Sequence, residues 1–317
     1  MAESERIPVL AVAGPTASGK TAMAVFLAQH LNAEVVSCDS MQVYRGLSIS
    51  TAKPTAEEMQ GVPHHLLDFL PPDAPFSAAD YRKLAAESIR RIRARGKNVI
   101  LCGGTGLYMQ SLLENIDFTG SGANESLRRE MRELAEKAGN TAVWQRLRAV
   151  DPFGAEILHP NNLGRVIRAL EMYAETGLTI AQQHVRSRSV PSPYRYLILC
   201  LDFRDRQKLY ARIEQRVDRM FADGLEQEAR AFFHDFGAAG GTARQAIGCK
   251  ELLPYFEGKC TMEDAVESIK RETRRYAKRQ LTWFRRMEHL CLIEMDGETD
   301  PCAQALRIAE DFFGKAN

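Results

Sequence analysis

The sequence predicts an α/β fold: a parallel-sheet core, interrupted by a helical insertion and completed by a helical C-terminal region. Three observations predict it. Short β-rich apolar runs alternate with helix-period segments in the N-terminal part, the pattern of strands covered by helices. A glycine-rich turn sits between the first such run and the first helical segment. Strand signals then vanish between 120 and 190 and resume at 196–201, as when a helical segment is inserted into a sheet. The expected division is a first core part at 1–119, a helical insertion at 120–193 and a second core part at 194–317.

Taken in order, 9–13 is a buried strand, 22–31 a helix and 34–38 a second strand ending at Asp39. After an irregular stretch with prolines and histidines, 78–95 has helical period and 98–102 is another buried strand. Within the insertion, 125–138, 142–150 and 163–176 read as helices separated by Asp-Pro, His-Pro and Thr-Gly breakers. The stretch 206–287 is helical, and 290–294 is the last strand.

A chain of 317 residues with 45% apolar residues is long and hydrophobic enough for one large domain and an appendage, which excludes a disordered chain. Its net charge of +1 means that a polyanion must be met by local basic stripes. Seven cysteines form no C-x-x-C pair, so buried free thiols in a reducing compartment are expected and not a zinc site or a disulfide framework. The apolar run at 9–13 is too short for a signal peptide, and no segment reaches the roughly 18 to 20 apolar residues of a membrane helix. A cytoplasmic protein with no membrane partner is the expectation. His64-His65 lacks a third ligand at useful spacing and reads as loop structure beside the site described next.

Gly14-Pro15-Thr16-Ala17-Ser18-Gly19-Lys20-Thr21 matches the G-x-x-x-x-G-K-[ST] phosphate loop, between a strand and a helix as that motif requires. Its glycines let backbone N–H groups curl around phosphate oxygens, the helix points its positive end inward, Lys20 adds a charge, and the Thr21 hydroxyl can ligate Mg²⁺. The core is therefore P-loop NTPase-like. A nucleotide hydrolase also carries a Mg²⁺-holding Asp on a neighbouring strand. Here strand 98–102 runs into Gly103-Gly104-Thr105 without a carboxylate, which argues against a motor or switch. Asp39, at the carboxyl end of the second strand, is where open parallel sheets place their chemistry. It is a candidate general base, and a turn or cap aspartate is the plain structural alternative. Small-molecule kinases also put an acid here.

The strings DSMQVYRGLSISTAKP (39–54), PHHLLD (63–68) and GGTGLY (103–108), taken with GPTASGKT (14–21), closely resemble the tRNA dimethylallyltransferase family. The resemblance continues in the family's order through HPNNLGRVIRALE (159–171), RIEQRV (212–217), RQAIGCKE (244–251) and KRQLTWFRR (278–286). It implies transfer of a dimethylallyl group from dimethylallyl diphosphate to the exocyclic N6 amine of the adenosine 3′ of the anticodon, position 37, in tRNAs reading codons that begin with U. Diphosphate is released. Gly14, Thr16, Ala17, Ser18, Gly19, Lys20 and Thr21 would hold the diphosphate, with Mg²⁺ on Thr21 and with Thr105 and Arg216 neutralising charge. Asp39 would take the amine proton. The resemblance further assigns tRNA contacts to Asp39, Ser40, Met41, Gln42 and Thr105 around the extruded base, and to Gly164, Val166 and Ile167 in the insertion; there Arg165 and Arg168, three apart on one expected helix, and Arg128 on another are candidate donors to the anticodon-stem backbone, with plain surface arginines as the alternative. It adds Arg244, Gln245, Ala246, Ile247, Gly248 and Cys249, and then Lys278, Arg279, Gln280, Leu281, Thr282, Trp283, Phe284 and Arg285. A monomer acting on the anticodon stem-loop is expected.

The chemistry agrees: an aromatic amine is a weak nucleophile and needs a base on one side and a stabilised leaving group on the other. The adenine must also leave its stack, which is least costly in an unpaired loop whose shape the protein can read. Along 269–287, Ile269, Thr273, Tyr276, Gln280, Trp283 and Met287 share one helical face, and Arg271, Arg275, Lys278, Thr282 and Arg285 form a second stripe. Such a stripe suits a polyanion; alone it is equally a solvated face. Trp144 and Phe153 are expected to pack the insertion's core.

The sequence departs from the family where Cys249 replaces an aromatic residue, Ser48 and Ser50 replace Asp and Gly, and Gly164 replaces a polar or basic residue. It resembles the bacterial form, without the cysteine spacing of the zinc finger that eukaryotic members often append. Two other readings stay open: a P-loop nucleoside or small-metabolite kinase, and an RNA-binding module without catalysis.

Overall fold

The computed structural model describes residues 6–118, 124–237 and 241–314. The chain forms two compact units, Met1–Leu113 with Ser192–Asn317, and Glu114–Pro191.

In the first unit, β1 (Ile7–Ala13), β2 (Ala33–Ser37), β3 (His64–His65), β4 (Asn98–Cys102), β5 (Tyr194–Asp202) and β6 (Leu290–Glu294) make one sheet. Its order is β3-β2-β4-β1-β5-β6, and every neighbouring pair is parallel. The helices α1 (Lys20–His30), α2 (Ala56–Met59), α3 (Ala78–Ala94) and α4 (Gly106–Leu113) fill the connections of the first half. Successive residues of β1 serve opposite faces, as a pleat dictates. Val9, Ala11 and Ala13 join α3 and α4 residues such as Tyr81, Ile89 and Met109 in one buried cluster. Leu10 and Val12 join Met23, Leu27, Ala305 and Ala309 in another. With both faces covered, β1 must be apolar throughout, which is why 9–13 reads as an unbroken run.

The second half supplies α10 (Arg206–Ala222), α11 (Leu225–Asp235), α12 (Leu253–Phe256), α13 (Met262–Phe284) and α14 (Pro301–Gly314). A third cluster joins Val43, Tyr44 and Leu47, just after β2, to Val217, Leu225, Phe232, Cys249 and Ile269. The segment following Asp39 is thereby fastened to the C-terminal helices.

The expectations for the histidine pair and for the cysteines are corrected here. His64-His65 is an edge strand pairing with Val35 and Val36, with His65 Nε2 at 2.7 Å and Arg95 Nη2 at 2.6 Å from Glu34 Oε2. Burial pushes the Glu34 carboxyl upward, and hydrogen bonds from Arg95 and His65 outweigh it and hold the group below its ordinary value. The pair closes the sheet edge. The cysteines are free thiols, as expected, but only Cys38, Cys200 and Cys249 are buried and the other four are half-buried.

The second unit contains α5 (Glu125–Ala138), α6 (Asn140–Val150), α7 (Pro152–Ile157), α8 (Leu163–Thr176) and α9 (Ile180–Ser187). Its core gathers Met131, Val143, Leu147, Ala155, Val166 and Ile167. Glu171 is buried and accepts hydrogen bonds from the Asn124 N–H, Arg128 and Arg168. Trp144 packs this core, its indole N–H donating to Ala155 O and Leu158 O at 2.9 and 2.8 Å. Phe153 does not, being 77% exposed. The short α7 starts at Pro152 under an Asp151 cap and turns Gly154 and Ala155 inward, so Phe153 and Ile157, one turn apart, face out. Among the described residues no helix is long and apolar enough to cross a membrane.

Candidate active site

The carboxyl ends of β1, β2 and β4 meet at one edge of the sheet. The ladder between β1 and β4 closes at Val12↔Cys102, and that between β2 and β4 at Ser37↔Cys102. Beyond it lie the phosphate loop, the turn Gly103 to Gly106 and the segment from Cys38 onward.

The loop is built for an anion. Helix α1 begins at Lys20 behind Gly19, which gives no side-chain cap, so the first N–H groups of the helix lack intrahelical partners and its positive dipole end faces the cradle. Ala17 takes a left-handed conformation, φ 63°, unusual for a residue with a side chain. The Arg212 guanidinium holds that peptide through a 2.9 Å bond from Nε to Ala17 O. Lys20 Nζ folds back to Pro15 O at 2.7 Å. Thr16 commits its N–H to the side chain of Gln280 at 2.8 Å, so only its hydroxyl is available to a ligand.

Asp39 follows β2. Its Oδ1 accepts the Met41 and Gln42 N–H groups at 2.9 and 3.3 Å; Oδ2 takes no hydrogen bond among the described residues. The carboxylate is thus oriented by one oxygen with the other open, which combines the turn-aspartate and base readings. Thr105 Oγ1 accepts the Ser40 N–H at 2.9 Å, and the Thr105 N–H donates to Cys38 O at 3.1 Å. The Gln42 amide donates to Thr51 O and Ala52 O, which commits it to the loop. Arg216 stands one turn beyond Arg212 on α10.

Electrostatics join these groups. Burial, the largest influence, pushes the Lys20 ammonium down to about 8; the Cys102 thiol opposes this, Arg216 adds to it and Asp39 opposes it. Burial likewise lowers Arg216 from its ordinary value, against the pull of Asp39 and Glu58. For Lys20 the unfolded chain holds a proton up to its ordinary value of 10.5. Between the two values the native state has released a proton that the unfolded state keeps, so stability rises with pH across that window. Below about 8 the folded protein carries a poorly solvated cation that a bound anion would satisfy. The expected result is that affinity for inorganic pyrophosphate, measured by calorimetry relative to a Lys20→Arg variant, falls as the pH is raised through about 8. A ratio independent of pH would remove Lys20 from anion binding.

Tyr276 was not singled out as a site residue by the sequence. Burial raises its phenol well above the ordinary value, the Asp39 charge adds to this, and a hydrogen bond with Thr105 opposes it. Arg212 was also missed, although its spacing of four from Arg216 was a signal. On α13 the inward face includes Ile269, Thr273, Ala277, Gln280, Leu281 and Phe284. Trp283, which the sequence puts on one helical face with Ile269, Thr273 and Gln280, is 36% exposed, because the helical period carries it past the edge of the buried face. Its ring lies against Gly106, where an added Cβ would meet it at 2.4 Å.

The residues assigned to tRNA fall into three groups. Lys278, Arg279, Thr282, Gln245, Gly164 and Arg165 are exposed, and Arg244 and Ile247 are half-buried. Arg285 is tied to Asp202 Oδ2 at 2.6 Å, while Arg128 and Arg168 hold Glu171. Val166, Ile167, Ala246, Gly248, Cys249, Gln280, Leu281 and Phe284 are buried. Of the departures, Ser50 donates to Glu228, which also accepts the N–H groups of residues 48, 49 and 50. The serines therefore stand in a loop pinned by one carboxylate. Gly164 opens on free space.

A phosphate loop at the carboxyl end of β1 in a parallel sheet, with an acid at the end of β2 one strand beyond the intervening β4, defines a P-loop group-transfer enzyme. The family described as IPP transferase matches residues 42–287. The tRNA dimethylallyltransferase of Thermoanaerobacter sp. is 45% identical over 280 residues, 88% of this chain and 89% of that protein. The crystal structure of full-length tRNA isopentenylpyrophosphate transferase from Bacillus halodurans is similar at TM-score 0.72 and 42% identity, over 98% of this chain and 96% of that one. A eukaryotic dimethylallyltransferase whose structures capture it acting on tRNA is similar at TM-score 0.84 and 30% identity, over 98% of this chain and 80% of that one. This chain belongs to the tRNA dimethylallyltransferase family.

Proposed function

We propose that this chain transfers the dimethylallyl group of dimethylallyl diphosphate to N6 of adenosine 37, 3′ of the anticodon, in tRNAs reading codons that begin with U. The diphosphate lies in the cradle of Ala17, Ser18, Gly19, Lys20 and Thr21, with the Thr16 hydroxyl and the Arg216 guanidinium at its edge. The bond from the allylic carbon to the diphosphate oxygen breaks, its electron pair leaving with the diphosphate, while N6 forms the new bond to that carbon. The N6 proton passes to the open Oδ2 of Asp39. Thr105 orients the segment that bears Asp39 through its bond to Ser40, and Lys20 and Arg216 stabilise the charge gathering on the leaving group.

The donor set suits Mg²⁺. Thr21 stands in the uncapped first turn of α1, and among the described residues no cluster of three His, Cys, Asp or Glu could hold a metal. A hard cation that keeps several waters and takes few protein ligands fits such a site. Thr21 Oγ1 would hold it against the diphosphate, where it would neutralise leaving-group charge. We place the protein in the cytoplasm as a monomer, with the exposed Lys278, Arg279, Thr282 and Arg165 meeting RNA phosphates.

The observation that carries this reading is Asp39, anchored through one oxygen and open at the other, in the same electrostatic neighbourhood as Lys20 and Arg216. Purified protein given magnesium, an anticodon stem-loop RNA and dimethylallyl diphosphate should add one five-carbon unit to a single adenosine, read by mass spectrometry. Unmodified RNA, together with ATP-dependent phosphorylation of a small metabolite, would restore the kinase reading, which the relatives do not favour.

A further inference from the structure

Gln280, which the resemblance assigns to RNA, makes its contacts elsewhere. It is 5% exposed. Its Oε1 accepts the Thr16 N–H at 2.8 Å and its Nε2 donates to Gly104 O at 2.9 Å. The orientation of the amide is not a matter of choice, because a backbone donor and a backbone acceptor each admit only one of its two ends. The backbone of Gly104 comes so close that an added Cβ would stand 2.2 Å from Nε2.

We propose that Gln280 is a positioning residue that locks the phosphate loop to the Thr105 turn and so fixes the distance between donor cradle and acceptor base. The inference rests on the reading of the cradle as the diphosphate site. The sheet ladder between β1 and β4 ends at Val12↔Cys102, with the Gly103 N–H donating to Val12 O at 3.2 Å. The Gln280 amide gives one acceptor and one donor to them, as a strand between them would, and acts as a single further rung. From Gly104 the connection continues through Thr105, which accepts the Ser40 N–H and donates its own N–H to Cys38 O. Those two residues flank Asp39. One chain of hydrogen bonds thus runs from Thr16 through Gln280, Gly104, Thr105 and Ser40 to the segment bearing the base.

A second consequence concerns α13. The helix that delivers Gln280 inward exposes Lys278, Arg279 and Thr282 on the other side. Docking of RNA on that surface therefore bears on a helix that is bonded directly to the phosphate loop. Reacting groups need placement to within a fraction of an ångström for efficient transfer, so loss of the rung should appear in turnover and anion affinity, and not in RNA capture.

Two variants test this. Gln280→Met keeps side-chain length and removes both bonds. Gln280→Glu, when ionised, still accepts from Thr16 but opposes the Gly104 carbonyl, whereas its protonated carboxyl can both donate and accept. With magnesium present, Gln280→Met should bind inorganic pyrophosphate about tenfold to a hundredfold more weakly than wild type, since it leaves two buried backbone groups unpaired. Its kcat should fall by at least as much, with KM for the stem-loop RNA nearly unchanged. Activity of Gln280→Glu, taken as a ratio to wild type, should rise as pH falls, while the Gln280→Met ratio stays flat. Wild-type pyrophosphate affinity and kcat in Gln280→Met would overturn the proposal, and so would an effect confined to KM for RNA. If Gln280→Met fails to fold, the pH response of Gln280→Glu decides, a flat ratio overturning the proposal. A wild-type protein that binds no pyrophosphate overturns the cradle reading together with this one.

Discussion

Replacing Asp39 with asparagine should lower turnover by about 10²- to 10⁴-fold, the range that a positioned general base contributes. The substitution is nearly isosteric, and the carbonyl oxygen of the new amide can still accept the Met41 and Gln42 N–H groups that now orient Oδ1. The loop should therefore keep its shape, and a gel-shift titration with stem-loop RNA should find affinity close to wild type. The amide nitrogen in the place of the open oxygen cannot take a proton from N6. Asparagine is also uncharged, so Lys20 and Arg216 lose a neighbouring carboxylate and pyrophosphate affinity should hold or rise. Turnover equal to wild type would remove Asp39 from the chemistry. Loss of RNA binding in step with turnover would make it a structural turn residue.

The largest effect on stability is expected from Gly103→Ala. A Cβ there would stand 2.1, 2.3 and 2.8 Å from the O, C and Cα of Cys38. All three are backbone atoms at the end of β2, and none can rotate away as a side chain would. Overpacking a well-filled interior costs about 1 to 3 kcal/mol in ordinary cases, and with no flexible neighbour a loss of about 3 kcal/mol or more is expected. A urea melt measures it as a lower midpoint. Because Cys38 O also accepts the Thr105 N–H, protein that remains folded should have a displaced Asp39 segment and reduced turnover even well below its melting temperature. An unchanged midpoint would mean that β2 and β4 do not approach so closely.

Some of this was legible before any coordinates. The phosphate loop is a local device: its glycines, lysine and threonine act through their own backbone and through the helix they begin, so a contiguous string suffices to recognise it. The start of α1 at Lys20, ahead of the sequence expectation at residue 22, follows because the loop's end and the helix's first turn are the same residues. Asp39 was legible from its place at a strand end. Less local properties were not. Gln280 and Trp283 both lie on the helical face drawn from the sequence, yet one is a buried clamp and the other is 36% exposed, since burial depends on where the Gly103–Gly106 turn passes. Phe153 reads as a core residue by its chemistry alone and is outside because α7 is too short to turn two apolar faces inward. Arg128, Arg168 and Arg285 look like ready RNA contacts until Glu171 and Asp202, distant in sequence or on another turn, are seen to hold them.

The sequence by itself determined the α/β class, the phosphate loop, the acid at the end of β2 and the family, because each is written in contiguous residues or in short periodic patterns. Only the tertiary structure decided which charged and polar groups are available and which are already engaged. Hydrogen bonds and ion pairs between residues 16 and 280, 104 and 280, or 202 and 285 have no local signature; they exist only once the sheet order has brought separate strand ends to one edge and laid α13 across them.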